Sequence, residues 1–426
     1  MTSPTSDLAE ASFIEAAAGN EDPPTPIKGV RRLMWWIIPA NLGIFIIWGS
    51  FLSLLLPSQV AGIDPAHKIA NFAIVSTVGA IFALFAQPIV GQLSDRTRSR
   101  FGRRAPWMLV GSLAGALSLV GLAFANSFVS VLIVATLVQT AFNFAQGPLS
   151  AIMPDRIPVK RRGVFSSLVG IGTMVGALGG QIVASAFLGN VGAGYVFLAV
   201  FSVLMLSLFV IFNPDHSSKD LVLERFKFID FLKTFWVNPI KHPDFFWAFT
   251  GRTLLYAGYF TVTGYQLYIL TDYIGIKSPA TVIPELGLIS LAGILISTII
   301  SGPLSDKIGR RKPFIFGSSV LVAIALVFPM VSHTLPAWMA MTFISGFGFG
   351  MFMAVDSALM SQVLPSAKSF AKDLGVVNIA ATLPQALAPA IAGAIVLSVG
   401  FIGLFPVGIL LSILGAFAVL PIKASR

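Results

Sequence analysis

Twelve long apolar runs divide this chain, separated by short polar breaks. Each is about 20 residues, the length a helix needs to cross a bilayer. A backbone in hydrocarbon must satisfy its own hydrogen bonds, so unbroken runs of this kind fold as spanning helices. Breaks as short as Asn126-Ser127 and Gly189-Asn190 force antiparallel neighbours. Composition agrees: 56% of the 426 residues are apolar and 11% are charged. Soluble domains carry about 25% charge. An ordinary soluble enzyme, a disordered chain and a nucleic-acid binder are thereby excluded. The expected class is an all-α membrane protein.

The 28 Lys and Arg exceed the 18 Asp and Glu, giving a net charge of +10. Twenty-five of the basic residues fall on one side of the expected topology. Lys68 and Lys277 fall on the other, and Arg252 lies inside a run. The positive-inside rule turns the basic side to the cytoplasm, with both termini, and implies a multi-pass plasma-membrane protein. Residues 1–32 begin with Asp7, Glu10, Glu15, Glu21 and Asp22 and lack an apolar core, so they read as a disordered cytoplasmic tail. The longest polar gap, 214–245, separates six runs (33–213) from six more (246–421), and 422–426 form a short cytoplasmic tail. Inside that gap Val222, Phe226 and Ile229 recur at helical spacing, which predicts an amphipathic surface helix over 220–236.

There is no cysteine, and none of the four histidines has metal-ligand spacing. Neither a metal nor a cofactor is expected. Gly346, Gly348 and Gly350 lie within a helix with no strand before them, so they read as packing glycines and not as a phosphate loop. Without an ATP motif, the driving energy is a gradient.

The two halves echo each other. Gly91-Gln92-Leu93-Ser94-Asp95-Arg96, closing on Gly102-Arg103-Arg104, recurs as Gly302-Pro303-Leu304-Ser305-Asp306-Lys307, closing on Gly309-Arg310-Arg311. The two aspartates are 211 residues apart, and the same offset lays Trp36 on Trp247 and Asn41 on Arg252. Six helices repeated in one orientation is the parallel two-half plan of a secondary transporter. On these motifs the chain resembles the major facilitator superfamily over everything but the N-terminal tail. Ser94-Asp95-Arg96, then Ser99-Arg100-Phe101-Gly102-Arg103-Arg104 and Pro106, is similar to the branch of sucrose–proton symporters and glycoside–pentoside–hexuronide cation symporters. The resemblance implies the major facilitator fold, two pseudo-symmetric six-helix bundles. Helix 1 departs from that branch: it lacks the embedded acid that those carriers use for cation coupling.

The repeated motif reads as a cytoplasmic gate: Gly91, Asp95, Arg96, Gly102, Arg103, Arg104, Gly302, Asp306, Gly309, Arg310 and Arg311. Gly91 and Gly302 permit close helix approach. Asp95 is placed to meet a helix N-terminus and a nearby Arg. The resemblance implies that this cluster latches the outward-open state. Asp155 either joins the network or ends a helix.

Ionisable groups buried in a membrane cost at least ~2.5–3.5 kcal/mol, so they are functional candidates. Of the acids only Asp356 lies well inside a helix, roughly 14 Å deep at 1.5 Å per residue. Arg252 lies about 10 Å deep from the same side. They read as a proton-coupling pair or, alternatively, as a structural ion pair. Arg252, Tyr256, Tyr259, Thr263 and Gln266 share one helical face, and Tyr265, Tyr268 and Asp272 form a second. Gln139, Asn143 and Gln146 form a polar stripe on helix 4, and Asn378, Thr382 and Gln385 one on helix 11. Such amides line a cavity or bond neighbouring helices. The expected function is proton-coupled movement of a small hydrophilic solute, a sugar or glycoside, by alternating access. The rival readings are a proton-driven drug or metabolite exporter and a non-transporting receptor or scaffold. Expected partners are the solute, a proton or sodium ion and the bilayer, with no nucleic acid, and the unit is a monomer.

Overall fold

The computed structural model describes residues 29–158, 161–219, 239–363 and 370–423. The linker helix expected at 220–236 and most of the N-terminal tail lie outside the described residues, as do the side chains of Asp306 and Asn378. The first half holds α1 (Val30–Ile63), α2 (Lys68–Asp95), α3 (Ala105–Ala123), α4 (Phe128–Arg156), α5 (Arg162–Ala186) and α6 (Val191–Phe212). The second holds α7 (Pro243–Thr263), α8 (Pro279–Ile308), α9 (Lys312–Val331), α10 (Leu335–Val363), α11 (Phe370–Val399) and α12 (Phe401–Ala418). Eleven of these are long and apolar enough to cross a membrane. The twelfth is α7, whose apolar run is diluted by Asp244, Arg252, Tyr256 and Tyr259. Val30, Arg31 and Arg32 join α1, so the helix starts earlier than the sequence suggests.

The short polar breaks end one helix and start the next. Ser127 accepts from the backbone N–H of Ser130 in a capping box, and Asn190 accepts from that of Ala193. α1 and α7, equivalent in the repeat, both depart from regular helix toward the same end. α1 widens into a π-helix at Trp48–Leu55. α7 breaks after Thr263 and resumes as a short turn and a π-helix at Ile269–Tyr273. π-turns rotate the following side chains out of the α register and are common at functional sites.

Within each half, small residues let backbones touch. Gly172, Gly176 and Gly180 on α5 lie directly against α1; a Cβ at Gly172 would come within 2.6 Å of the Ile38 carbonyl oxygen. On α10, Gly346 and Gly350 lie against the α8 backbone and Gly348 against α9, so the three read correctly as packing glycines. Dispersion at such close approach replaces the hydrophobic effect, which cannot hold helices together in lipid.

Between the halves, α2 packs on α11 and α5 on α8. One apolar cluster draws on both halves, joining Leu54, Val60 and Phe72 to Tyr265, Tyr268 and Leu286. It lies at the end opposite the basic loops, the far side. Phe72 sits edge-on to Tyr265 and Tyr268, with centroids at 5.3 and 5.7 Å. The Tyr268 hydroxyl donates to the Pro57 carbonyl at 2.8 Å, and Lys68 pairs with Asp272 at 2.7 Å. On the basic side the apolar residues form two separate clusters, each confined to one half. Among the described residues, then, the apolar core joins the halves on the far side and is separate in each half on the basic side. The second tyrosine stripe of the sequence, Tyr265, Tyr268 and Asp272, belongs to that closure.

Removing Lys68 weakens this closure by about 0.5 kcal/mol, as for a partly exposed ion pair. The chain has no cysteine, so a single Thr342→Cys reports on access to the interior. In that background Lys68→Ala is expected to raise labelling from the far side by an impermeant thiol reagent about two- to threefold.

Candidate functional site

A cavity of about 340 Å³ lies between the halves. The α1 π-helix contributes Trp48, Leu52 and Ser53, and α2 adds Phe72 and Ser76. Gln139 enters from α4 and Gln181 from α5. Tyr259, Phe260, Thr263 and Gln266 come from α7 at its break, Trp338, Thr342 and Ser345 from α10, and Gln385 from α11. Every described lining side chain is neutral. The volume suits a ligand of disaccharide or nucleoside size.

The expected cavity residues separate into two groups. Gln139, Tyr259, Gln266 and Gln385 line it. Asn143, Gln146 and Tyr256 do not. Asn143 accepts from the Gln87 amide at 2.8 Å and donates to the Gln139 carbonyl at 2.8 Å. Gln146 accepts from the Trp48 indole at 3.0 Å, which fixes that ring at the cavity edge. These two amides bond neighbouring helices, because helix 4 turns them from the cavity toward α2 and α1. Tyr256 is buried among Phe260, Phe349 and Phe352. The sequence reading missed Trp48, Gln181, Ser290, Trp338, Thr342 and Ser345. The α10 members recur at spacings of four and three, a signal hidden by the apolar residues between them.

Arg252 and Asp356 are in contact, Nη1 donating to Oδ2 at 2.7 Å. Both are largely buried, with side-chain exposures of 12% and 8%. The guanidinium carbon lies 5.6 Å from the Tyr256 ring centroid, and Arg252 Nε has no hydrogen-bond partner among the described residues. The pair lies outside the cavity lining, one helical turn and more toward the basic side.

The motif after α2 is a network within the first half. Arg104 bonds Asp95 at 2.6 Å, Asp155 at 2.8 Å and the Ser94 hydroxyl at 2.5 Å. Arg103 bonds Asp155 at 2.7 Å and approaches Asp95 to 3.9 Å. Asp155 therefore joins the network. Gly102 has φ +83° and Gly309 φ +68°, the left-handed region that glycine occupies without strain. Those two motif glycines are backbone requirements. A Cβ at Gly91 or Gly302 would meet no atom of the described residues within 4 Å. Both sit toward the basic ends of α2 and α8. Arg96 caps α2, and Arg310 and Arg311 bridge α8 to α9.

This fold is that of a multi-pass membrane protein with two six-helix halves around a shared cavity. A family model described as MFS/sugar transport protein matches residues 46–421, and the chain belongs to that family. The sucrose transport protein SUC4 of Arabidopsis thaliana is 28% identical over 176 residues, 36% of this chain and 34% of that protein. The match thus spans about a third of that relative's length. The cis,cis-muconate transport protein of Acinetobacter baylyi is 23% identical over 333 residues, 76% of this chain and 78% of the other. Among solved structures, a single-site variant of the nucleoside transporter NupG superposes with a TM-score of 0.73 at 17% identity, covering 92% of this chain and 99% of that one. A bacterial homolog of the human lysosomal transporter Spinster gives 0.64 at 13% identity, covering 93% and 96%. The fold is the major facilitator fold, as the repeat implies, and the family is one of transport proteins, not of enzymes.

Left-handed backbone costs a residue with a Cβ about 1–2 kcal/mol. Gly309→Ala is expected to lower thermal stability in detergent by that amount. Gly102→Ala is expected to lower it more, since its Cβ would come within 2.5 Å of Asp215. Removing one member of a buried ion pair costs about 3–5 kcal/mol. Arg252→Gln should show such a loss in a thermal melt, and Arg252→Gln with Asp356→Asn should recover most of it.

Proposed function

We propose that the chain imports a neutral polyhydroxylated solute, a sugar or glycoside, in symport with a proton. The observation that carries this is the neutral, amide-rich and aromatic lining of the cavity. Gln139, Gln181, Gln266 and Gln385 offer donors and acceptors to hydroxyls, while Trp48, Tyr259 and Trp338 offer faces to the apolar side of a sugar ring. A dicarboxylate such as muconate needs a cation, and Arg252 is engaged by Asp356 outside the lining. The sucrose transporter relative supports the neutral cargo and the muconate relative does not. The basic side is the cytoplasmic side of the cell membrane, with both termini there, so the structure corresponds to an inward-facing state. The transporting unit is one chain, because both halves and the whole cavity belong to it.

Asp356 is the proton site. Binding a proton at its carboxylate neutralises it and frees Arg252. The Asp95–Arg104–Asp155 network and the second motif copy gate the cytoplasmic side, and Lys68–Asp272 gates the other. The apolar lining residues Leu52, Phe260 and Met341 favour an amphiphilic exporter as second reading.

Proteoliposomes decide between these. Uptake of labelled sucrose or an aryl glucoside, with none of muconate, is expected; muconate uptake that neutral sugars do not inhibit would overturn the cargo assignment. Accumulation into everted vesicles alone would favour export. Asp356→Asn is expected to keep solute exchange and lose pH-driven accumulation. Retained pH-driven accumulation removes Asp356 from the mechanism.

A further inference from the structure

Asp356 and the cargo cavity do not touch, yet two helix faces join them. Trp338, Thr342, Ser345, Phe349, Phe352 and Asp356 share one face of α10. Arg252, Tyr256, Tyr259 and Thr263 share one face of α7. The two faces meet in sequence. Arg252 meets Asp356, and Tyr256 lies edge-on to Phe352 at 5.8 Å and to Phe349 at 5.4 Å. Tyr259 then lies flat on Phe349, centroids 4.5 Å apart at 15°. Beyond it, Tyr259, Thr263, Ser345 and Thr342 line the cavity.

We propose that the Tyr256–Phe349–Tyr259 stack is the coupling element of the transporter, with Phe349 a positioning residue that carries the state of the Arg252–Asp356 pair to the cavity wall. This rests on Asp356 being the proton site.

α10 packs by backbone contact, Gly346 and Gly350 on α8 and Gly348 on α9. α7 packs on α12 in the same manner, Gly251 and Gly258 against Gly408, Ser412 and Gly415, with Ala418 and Val419 beside Gly251. Residues 252 to 259 are two turns of one uninterrupted helix, so Arg252, Tyr256 and Tyr259 shift together. The helix breaks after Thr263, between that segment and the far-side closure. Loss of the Asp356 charge releases Arg252, and the shift of α7 reaches the cavity as a displacement of Tyr259 on Phe349. Among the described residues, the ionisable groups facing Asp356 are Arg252 and Tyr256, both from α7. On α8 and α9, packed against α10, the charges Glu285, Asp306, Lys307 and Lys312 sit toward the helix ends.

The test needs no cargo. In full-length protein carrying Thr342→Cys, the rate of labelling by a methanethiosulfonate reagent reports the cavity as pH is varied. Asp356→Asn in the same background gives the reagent's own pH dependence. Relative to that control, the parent is expected to change about tenfold between about pH 5 and pH 8, within the 5–150-fold range of coupling between sites. Phe349→Leu is expected to collapse the change to the control, and Tyr256→Leu to do the same from the other helix. Phe349→Tyr, which keeps the ring, should preserve it. The coupling element is overturned if folded Phe349→Leu and Tyr256→Leu keep the parent's full change. If Asp356→Asn itself behaves as the parent, the proton-site reading fails and the coupling element falls with it.

Discussion

Hydrocarbon offers a charge no partner, and the arrangement of this chain follows from that exclusion. At ~2.5–3.5 kcal/mol or more per embedded charge, ionisable side chains are driven to helix ends unless another side chain receives them. Loops after α2, α4 and α8 collect the arginines, and there Arg104 is met by two carboxylates and a hydroxyl. Far-side charges are few, and Lys68 is bonded to Asp272 across the halves. Between those layers Arg252 and Asp356 remain, each made tolerable by the other. Helix boundaries, topology and the buried pair are consequences of the same desolvation cost.

Much of this was legible because the cost acts on residue type alone. The twelve runs, the two copies of the loop motif and the isolation of Asp356 are visible without coordinates. Similar depth and opposite sign brought Arg252 and Asp356 together on paper, and the structure has them in contact. The tyrosine stripe nearer the far side also reads as a unit, although its role in closing the molecule does not.

What the sequence hid depends on rotation about helix axes. Gln139, Asn143 and Gln146 lie within two turns of one face, and only Gln139 of the three reaches the cavity. A stripe spans enough arc that its members face different neighbours, and hydropathy carries no information about which. Trp48 reaches the cavity through a π-helix that no periodicity announces. Trp338 and Phe349 are apolar residues in an apolar helix, so their positions surface only when α7 is laid against α10. Gly91 and Gly302 show another limit. Among the described residues no atom lies within 4 Å of a Cβ at either, and residue type alone does not say in which conformation a neighbouring helix comes close.

The separation of the charged pair from a neutral cavity has an electrical consequence. With the pair intact, the membrane interior holds no net charge from these residues. Once Asp356 takes a proton, Arg252 leaves one positive charge there. Under the proposed coupling, a membrane voltage then acts on the loaded carrier, at about 2.3 kcal/mol per charge per 100 mV if the full drop is crossed. The emptied, deprotonated carrier returns without feeling it. An inside-negative potential would therefore drive one half of the cycle and leave the other untouched, whatever neutral solute the cavity holds.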